Sequence, residues 1–253
     1  MMTGTTFIAF IGVVLGVAIG ATGIGGVLLV PILTLALGIE VKRAIAAALF
    51  SYLPSTAVAV VLYARRGSMP WRQVWPLCAA AVPAAWLGAR LAHDAPGELL
   101  EAAVGVLLAA GGVYALRTPR QPGAARAELA PCVLIGLGSG TGFISALTGA
   151  GGAFVLLPVL LLLDVPVLSA IGMGQAIAIP IAGLASVANL TAGLVDLRLA
   201  AVLGVTLAIG IALGTPIAHA LPQAKLRRLL GTVVLMAGAA MLVRGAVHAF
   251  AGG

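Results

Sequence analysis

Apolar stretches alternate with short polar breaks along almost the whole chain. They run approximately over residues 5–37, 44–63, 70–90, 98–117, 129–163, 167–190, 197–218 and 226–248. A helix crosses the hydrocarbon layer of a bilayer in about 20 apolar residues, so the pattern predicts an all-α polytopic membrane protein of about eight transmembrane segments. The breaks carry the polar and helix-stopping residues. Among them are Gly38 to Arg43, Arg65-Arg66-Gly67, His93 to Pro96, Asp164-Val165-Pro166, Thr191-Ala192-Gly193 and Pro222 to Arg228. The most polar break, Arg117 to Glu128, includes Pro119, Pro122 and Gly123 and reads as a linker. It separates a first membrane unit, residues 5–117, from a second, residues 129–248, with the linker itself at 118–128.

The first and fifth stretches are too long for one straight crossing, and each is interrupted by glycines. The interruptions read Thr22-Gly23-Ile24-Gly25-Gly26 and Thr148-Gly149-Ala150-Gly151-Gly152. Adjacent glycines are poor helix interior, so a broken or re-entrant helix is expected at each. The two motifs lie 126 residues apart, and the same offset pairs Gly12 with Gly138, Gly16 with Gly142, Pro54 with Pro180 and Gly67 with Gly193. It also pairs Arg72 with Arg198, Gly88 with Gly214, His93 with His219, and Pro96 with Pro222. One offset over so many costly identities indicates two pseudosymmetric repeats, an arrangement found in transporter folds. Their relative orientation stays open. If each long stretch crosses once, the repeats are parallel, and Lys and Arg divide eight against six between the two faces. If each folds back, the repeats are inverted and the division is nine against five.

Composition narrows the class. Hydrophobic residues make up 62% and charged ones 8%, where a soluble domain has about a quarter charged. A soluble enzyme, a disordered chain and a secreted disulfide scaffold are excluded at this step. The formal net charge of +7 is spread singly or in small groups between apolar runs. That suits loops beside a membrane and not a nucleic-acid surface, so no nucleic-acid partner is expected. Cys78 and Cys132 show no metal-binding spacing. The N-terminal stretch lacks a basic leader and reads as a retained helix. Asp and Glu are absent from the middles of the apolar runs, so a carboxylate proton relay or a charged cation site is not expected. HExxH and GxSxG are absent as well. The expectation is a non-enzyme without a cofactor or metal.

The candidate chemistry therefore lies in backbone and neutral side chains. A helix break inside a membrane frees N–H groups that lipid cannot satisfy. The half-helix that follows presents unpaired N–H groups and the positive end of its dipole, a ready site for an anion. The substrate-binding candidates at the breaks are Thr22, Gly23, Gly25, Gly26, Thr148, Gly149, Gly151 and Gly152, with the two threonines as hydroxyl donors. Ser51, Gln175 and Asn189, polar groups within later apolar runs, are added to them. Ser55, Thr56 and Ser186 also lie in those runs, where a hydroxyl more often bonds its own helix. Gly12, Gly16 and Gly20 follow small-xxx-small spacing and read as helix packing. His93 and His219 could serve proton coupling or simply cap helices. Trp71, Trp75 and Trp86 look like interface anchors.

The sequence resembles the sulfite exporter TauE/SafE family of membrane permeases over about residues 5–245. Its carriers are Gly20 to Gly26 followed by Pro31, and Leu147 to Gly152 followed by Pro158. The segments Leu87 to His93 and Leu213 to His219 look like the family's repeat ends. The resemblance implies a multi-pass protein of the cell inner membrane that moves sulfite, a sulfonate or a related organic anion. Where members often carry Gly-Thr-Ser or Ala-Thr-Ser before the second helix, this chain has Ala46-Ala47-Ala48-Leu49-Phe50-Ser51 and Gly172-Met173-Gly174-Gln175. The expected partners are a small anionic substrate and the lipid bilayer, and the sequence leaves room for a homo-oligomer. An alternating-access transporter is the leading expectation. The alternatives are an uncoupled anion channel and a non-transporting scaffold subunit. Gly25→Val and Gly151→Val should each abolish anion flux into proteoliposomes while the protein still inserts; unchanged flux in both would remove the motifs from the site.

Overall fold

The computed structural model of the chain describes residues 2–23, 25–117, 128–163, 165–220, 232, 234–244 and 247. These form ten helical segments with no strand among the described residues. They are α1 (Met2–Thr22), α2 (Gly25–Ala36), α3 (Val41–Arg65), α4 (Trp71–Asp94), α5 (Gly97–Arg117), α6 (Pro131–Thr148), α7 (Gly152–Leu162), α8 (Val167–Thr191), α9 (Leu197–Ala220) and α10 (Val234–Arg244). Six of them, α3, α4, α5, α6, α8 and α9, are long and apolar enough to cross a membrane. The protein is thus all-helical and polytopic. Phe10, Leu162, Val187 and Val205 are exposed, which suits a surface facing hydrocarbon rather than water. Trp71, Trp75 and Trp86 are exposed too, and the Arg90 guanidinium stacks 4.1 Å over the Trp86 ring.

Both long apolar stretches break at their glycines. α1 ends at Thr22 and α6 at Thr148, and the next residue of each, Gly23 and Gly149, takes a positive φ of 75° and 68°. Only a residue without Cβ adopts that conformation freely. The break also reverses the first stretch. Gly25 lies against Leu15, Ala18 and Ile19 of the helix that precedes it, so α2 starts back alongside α1. α2 is irregular at both ends, around a short α-helical middle at Leu29–Pro31. Its first turn is 3₁₀ (Gly25–Leu28) and its last is π (Ile32–Ala36), where the Thr34 carbonyl accepts a 2.6 Å bond from Arg244 of α10. Arg244 also pairs at 3.4 Å with Glu101 of α5, which is buried. The placement of charge only at helix ends and loops therefore has an exception: Glu101 stands on the second turn of α5 and is covered by protein.

Helix boundaries repeat at the offset read from the sequence. α3 starts at 41 and α8 at 167, α4 at 71 and α9 at 197, and each pair has the same length. The packing then crosses between the two series. α1 lies along α9, while α6 lies along α4, and α3 and α8 pack on each other. In lipid no hydrophobic force draws helices together, so close backbone approach does the work, and small residues permit it. A methyl built on Gly16 would come 2.9 Å from Gly210 Cα, and one on Gly20 would come 2.6 Å from the Ile211 carbonyl oxygen. On the α4–α6 side, a methyl on Gly142 would reach Ala81 O at 2.6 Å, and Gly138 is pressed against Leu77. The packing role expected of Gly12, Gly16 and Gly20 is what the structure gives. Pro54 and Pro180 lie inside α3 and α8.

The α6 glycines test this directly. Gly142→Ala should destabilise the protein by about 1–3 kcal/mol through overpacking against backbone. Gly140→Ala, two residues away on a face with nothing within 4 Å, should be neutral or stabilising by up to about 1 kcal/mol through helix propensity. Thermal unfolding in detergent would separate them, and equal effects would contradict the packing assignment.

Candidate functional site

The two breaks meet across one side chain. Tyr52, fully enclosed in the middle of α3, donates from its hydroxyl to the Gly26 carbonyl at 2.6 Å, and the same oxygen lies 3.4 Å from the Gly149 carbonyl. Gly151 presents no side chain to the ring, whose edge lies 3.5 Å from where its Cβ would stand. Its φ of 78° makes any other residue there strained as well.

A narrow cavity opens beside this junction, ≈ 260 Å³ including its mouth. Gly23 and Gly26 line it from the first break, and Gly151 to Phe154 from the second and the start of α7. Tyr52 and Thr56 enter from α3, and Gln175 and Ala178 from α8. Among the described residues, no Asp, Glu, Lys, Arg or His is on the wall. Two features mark it as the candidate site. α7 begins at this wall with no side chain capping its N-terminus, so its first N–H groups and dipole end face the cavity wall. Gln175 is 1% exposed, and its Nε2 has no hydrogen-bond partner among the described residues. An unsatisfied buried amide donor costs about 1–3 kcal/mol, so its persistence on the wall asks for an occupant that accepts hydrogen bonds.

The sequence candidates divide. Gly23, Gly26, Gly151, Gly152 and Gln175 come together on the wall, with Gly149 touching it through Tyr52. Gly25 stands away from it, against α1, where a Cβ would come 2.7 Å from that of Ala18. Gly25→Val is consequently a lesion in packing, and Gly151→Val is the cleaner probe of the site. Thr22 and Thr148 turn their hydroxyls back to the Ala18 and Ile144 carbonyls, each at 2.7 Å, so those hydrogens bond to helix carbonyls. Ser51 bonds the Ala48 carbonyl and lies against Gly204 of α9. Asn189 is buried 14 positions along α8 from Gln175, roughly 21 Å by helical rise. Ser55 and Thr56 bond their own helix. His93 is exposed, with its carbonyl bound by Lys42. The side chain of His219 and residues 118–127 of the linker lie outside the described residues. Sequence reasoning missed Tyr52 and Phe154. The offset of 126 does not single Tyr52 out: it pairs Tyr52 with Ala178, but also Tyr63 with Asn189 and Tyr114 with Ala240.

The model of the sulfite exporter TauE/SafE family matches residues 8–241 of the chain. The chain belongs to this family. TauE/SafE proteins are membrane permeases for sulfite or related anions, and the all-helical polytopic architecture and neutral, donor-lined cavity accord with that. No curated protein and no solved structure matches the chain.

The tyrosine bridge is open to a conservative test. Tyr52→Phe keeps the ring and removes the bond to Gly26. A loss of about 0.5–1.5 kcal/mol in stability is expected, together with impaired transport, because the two breaks lose their shared fastening. Wild-type flux in Tyr52→Phe would show the bridge to be incidental.

Proposed function

We propose that the protein is a secondary transporter that binds one small oxyanion in the cavity between the two glycine breaks. The α7 N-terminus and the Gln175 amide hold the anion, and movement of the two helical series exposes the site alternately to the two sides. Residues 5–117 and 129–248 are the two repeats in this scheme, inverted relative to each other because the fold-back at Gly23–Gly25 adds a segment to the first. It works in the cell inner membrane on sulfite, a sulfonate or a related organic anion. The observation that carries the reading is Gln175: a buried donor without a partner, on the wall that the uncapped helix shares. The cavity's narrowness supports a gated carrier over an open pore, since Phe154 and Ile19 stand on the same wall as the donors.

The site is asymmetric although the backbone elements are paired. Leu49 occupies the position in α3 that Gln175 occupies in α8, and Ala178 the one that Tyr52 occupies in α3. One copy supplies the donor and the other the fastening, so a single anion is bound and not two.

Purified Gln175→Leu should bind sulfite at least tenfold more weakly than wild type, while its thermal stability stays equal or rises because an unsatisfied donor is gone. Flux in proteoliposomes should saturate with anion concentration. Undiminished binding by Gln175→Leu, or no binding of sulfite or methanesulfonate by wild type, would overturn the site.

A further inference from the structure

We propose that the cavity selects by charge, accepting a singly charged oxyanion and rejecting a doubly charged one. An acid with two ionisations then travels with one proton still attached. This rests on the anion site proposed above and adds the ionic form of its occupant.

The argument comes from what the wall offers. Its donors are the Gln175 amide and the first N–H groups of α7, and all other side chains on it are apolar except Tyr52 and Thr56. Both hydroxyls point their hydrogens away from an occupant, Tyr52 toward Gly26 O at 2.6 Å and Thr56 toward Tyr52 O at 2.6 Å. The α7 N-terminus supplies the equivalent of roughly half an elementary charge. That offsets a good part of one negative charge and a small part of two. The cost of taking an ion out of water grows with the square of its charge, while its attraction to fixed dipoles grows only in proportion. Doubling the charge therefore quadruples the cost and doubles the gain.

Among the described residues, no cation on the cavity wall corrects the balance. α1, α2, α7 and α8 contain no Asp, Glu, Lys, Arg or His. On α3 the charges stand at the two ends: Lys42 binds the His93 carbonyl, Arg43 pairs with Glu40, and Arg65 is exposed at the last turn. Among the described residues, Tyr52 is the single titratable side chain on the wall. Any dependence of binding on pH near neutrality therefore belongs to the ligand. A transporter of this kind moves a proton with its substrate without a protein carboxylate or imidazole in the pathway.

Three probes test it by calorimetry on the purified full chain: methanesulfonate, a monoanion at every working pH; sulfate, a dianion throughout; and sulfite, which passes from one form to the other near neutrality. Methanesulfonate should bind equally across the range, and sulfate should bind at least tenfold more weakly. Apparent affinity for sulfite should fall about tenfold for each pH unit above its second ionisation, following the fraction of the competent form. Sulfite binding that holds or tightens as pH rises, or sulfate binding as strong as methanesulfonate, would overturn the charge selection. If those same isotherms still vanish in Gln175→Leu, the anion site stands and only its selectivity is wrong. Absence of all binding in wild type removes the site itself.

Discussion

A backbone carbonyl or amide that leaves helical pairing inside a membrane has no water to turn to, and two helices of this protein break where the chain is most apolar. The hydrogen bond from Tyr52 to the Gly26 carbonyl, with the Gly149 carbonyl beside it, is where that constraint is met. It fixes the first break, brings the second against it, and leaves the mouth of α7 uncovered. The cavity lies beside this junction, with residues of both breaks on its wall. Gln175 stands across from that uncovered helix end as the remaining donor.

Much of this was written in the sequence in a form that simple rules read. Adjacent glycines within over-long apolar stretches marked both breaks, and a single offset of 126 anticipated the bounds of α3 and α8 and of α4 and α9. Gln175 was a candidate because a bulky amide in an apolar run either serves a pathway or bonds a neighbouring helix, and its Nε2 has no partner among the described residues. The failures have a common physical origin. Which face of a helix looks at the cavity depends on tertiary packing. Ser51 and Tyr52 are neighbours in sequence, yet one turns toward α9 and the other toward the breaks. The hydroxyls of Thr22 and Thr148 were credited to a ligand, but a threonine in a helix can bond the carbonyl four residues back, and both do. Glu101 escaped notice because its partner, Arg244, lies 143 positions away in the chain.

Paired backbone elements carry divergent side chains in the two halves of the chain. Backbone breaks, in-helix prolines and packing glycines recur in both halves, since the membrane imposes the same demands on each. On the cavity wall some positions keep that pairing, as Gly26 and Gly152 do, and others differ: Gln175 answers Leu49, Tyr52 answers Ala178, Thr56 answers Ala182 and Phe154 answers Leu28.

The crossed packing of α1 on α9 and of α6 on α4 bears on how the protein is made. Gly16 and Gly210, which approach at the first interface, are 194 residues apart in the chain. At ~5–20 residues per second, α1 reaches the membrane roughly ten to forty seconds before its partner is synthesised. During that interval its row of glycines has lipid or the insertion machinery against it instead of a helix. The α1–α9 interface closes only when α9 arrives, and a chain released early would leave the α1 glycine row as an unpartnered adhesive surface in the membrane.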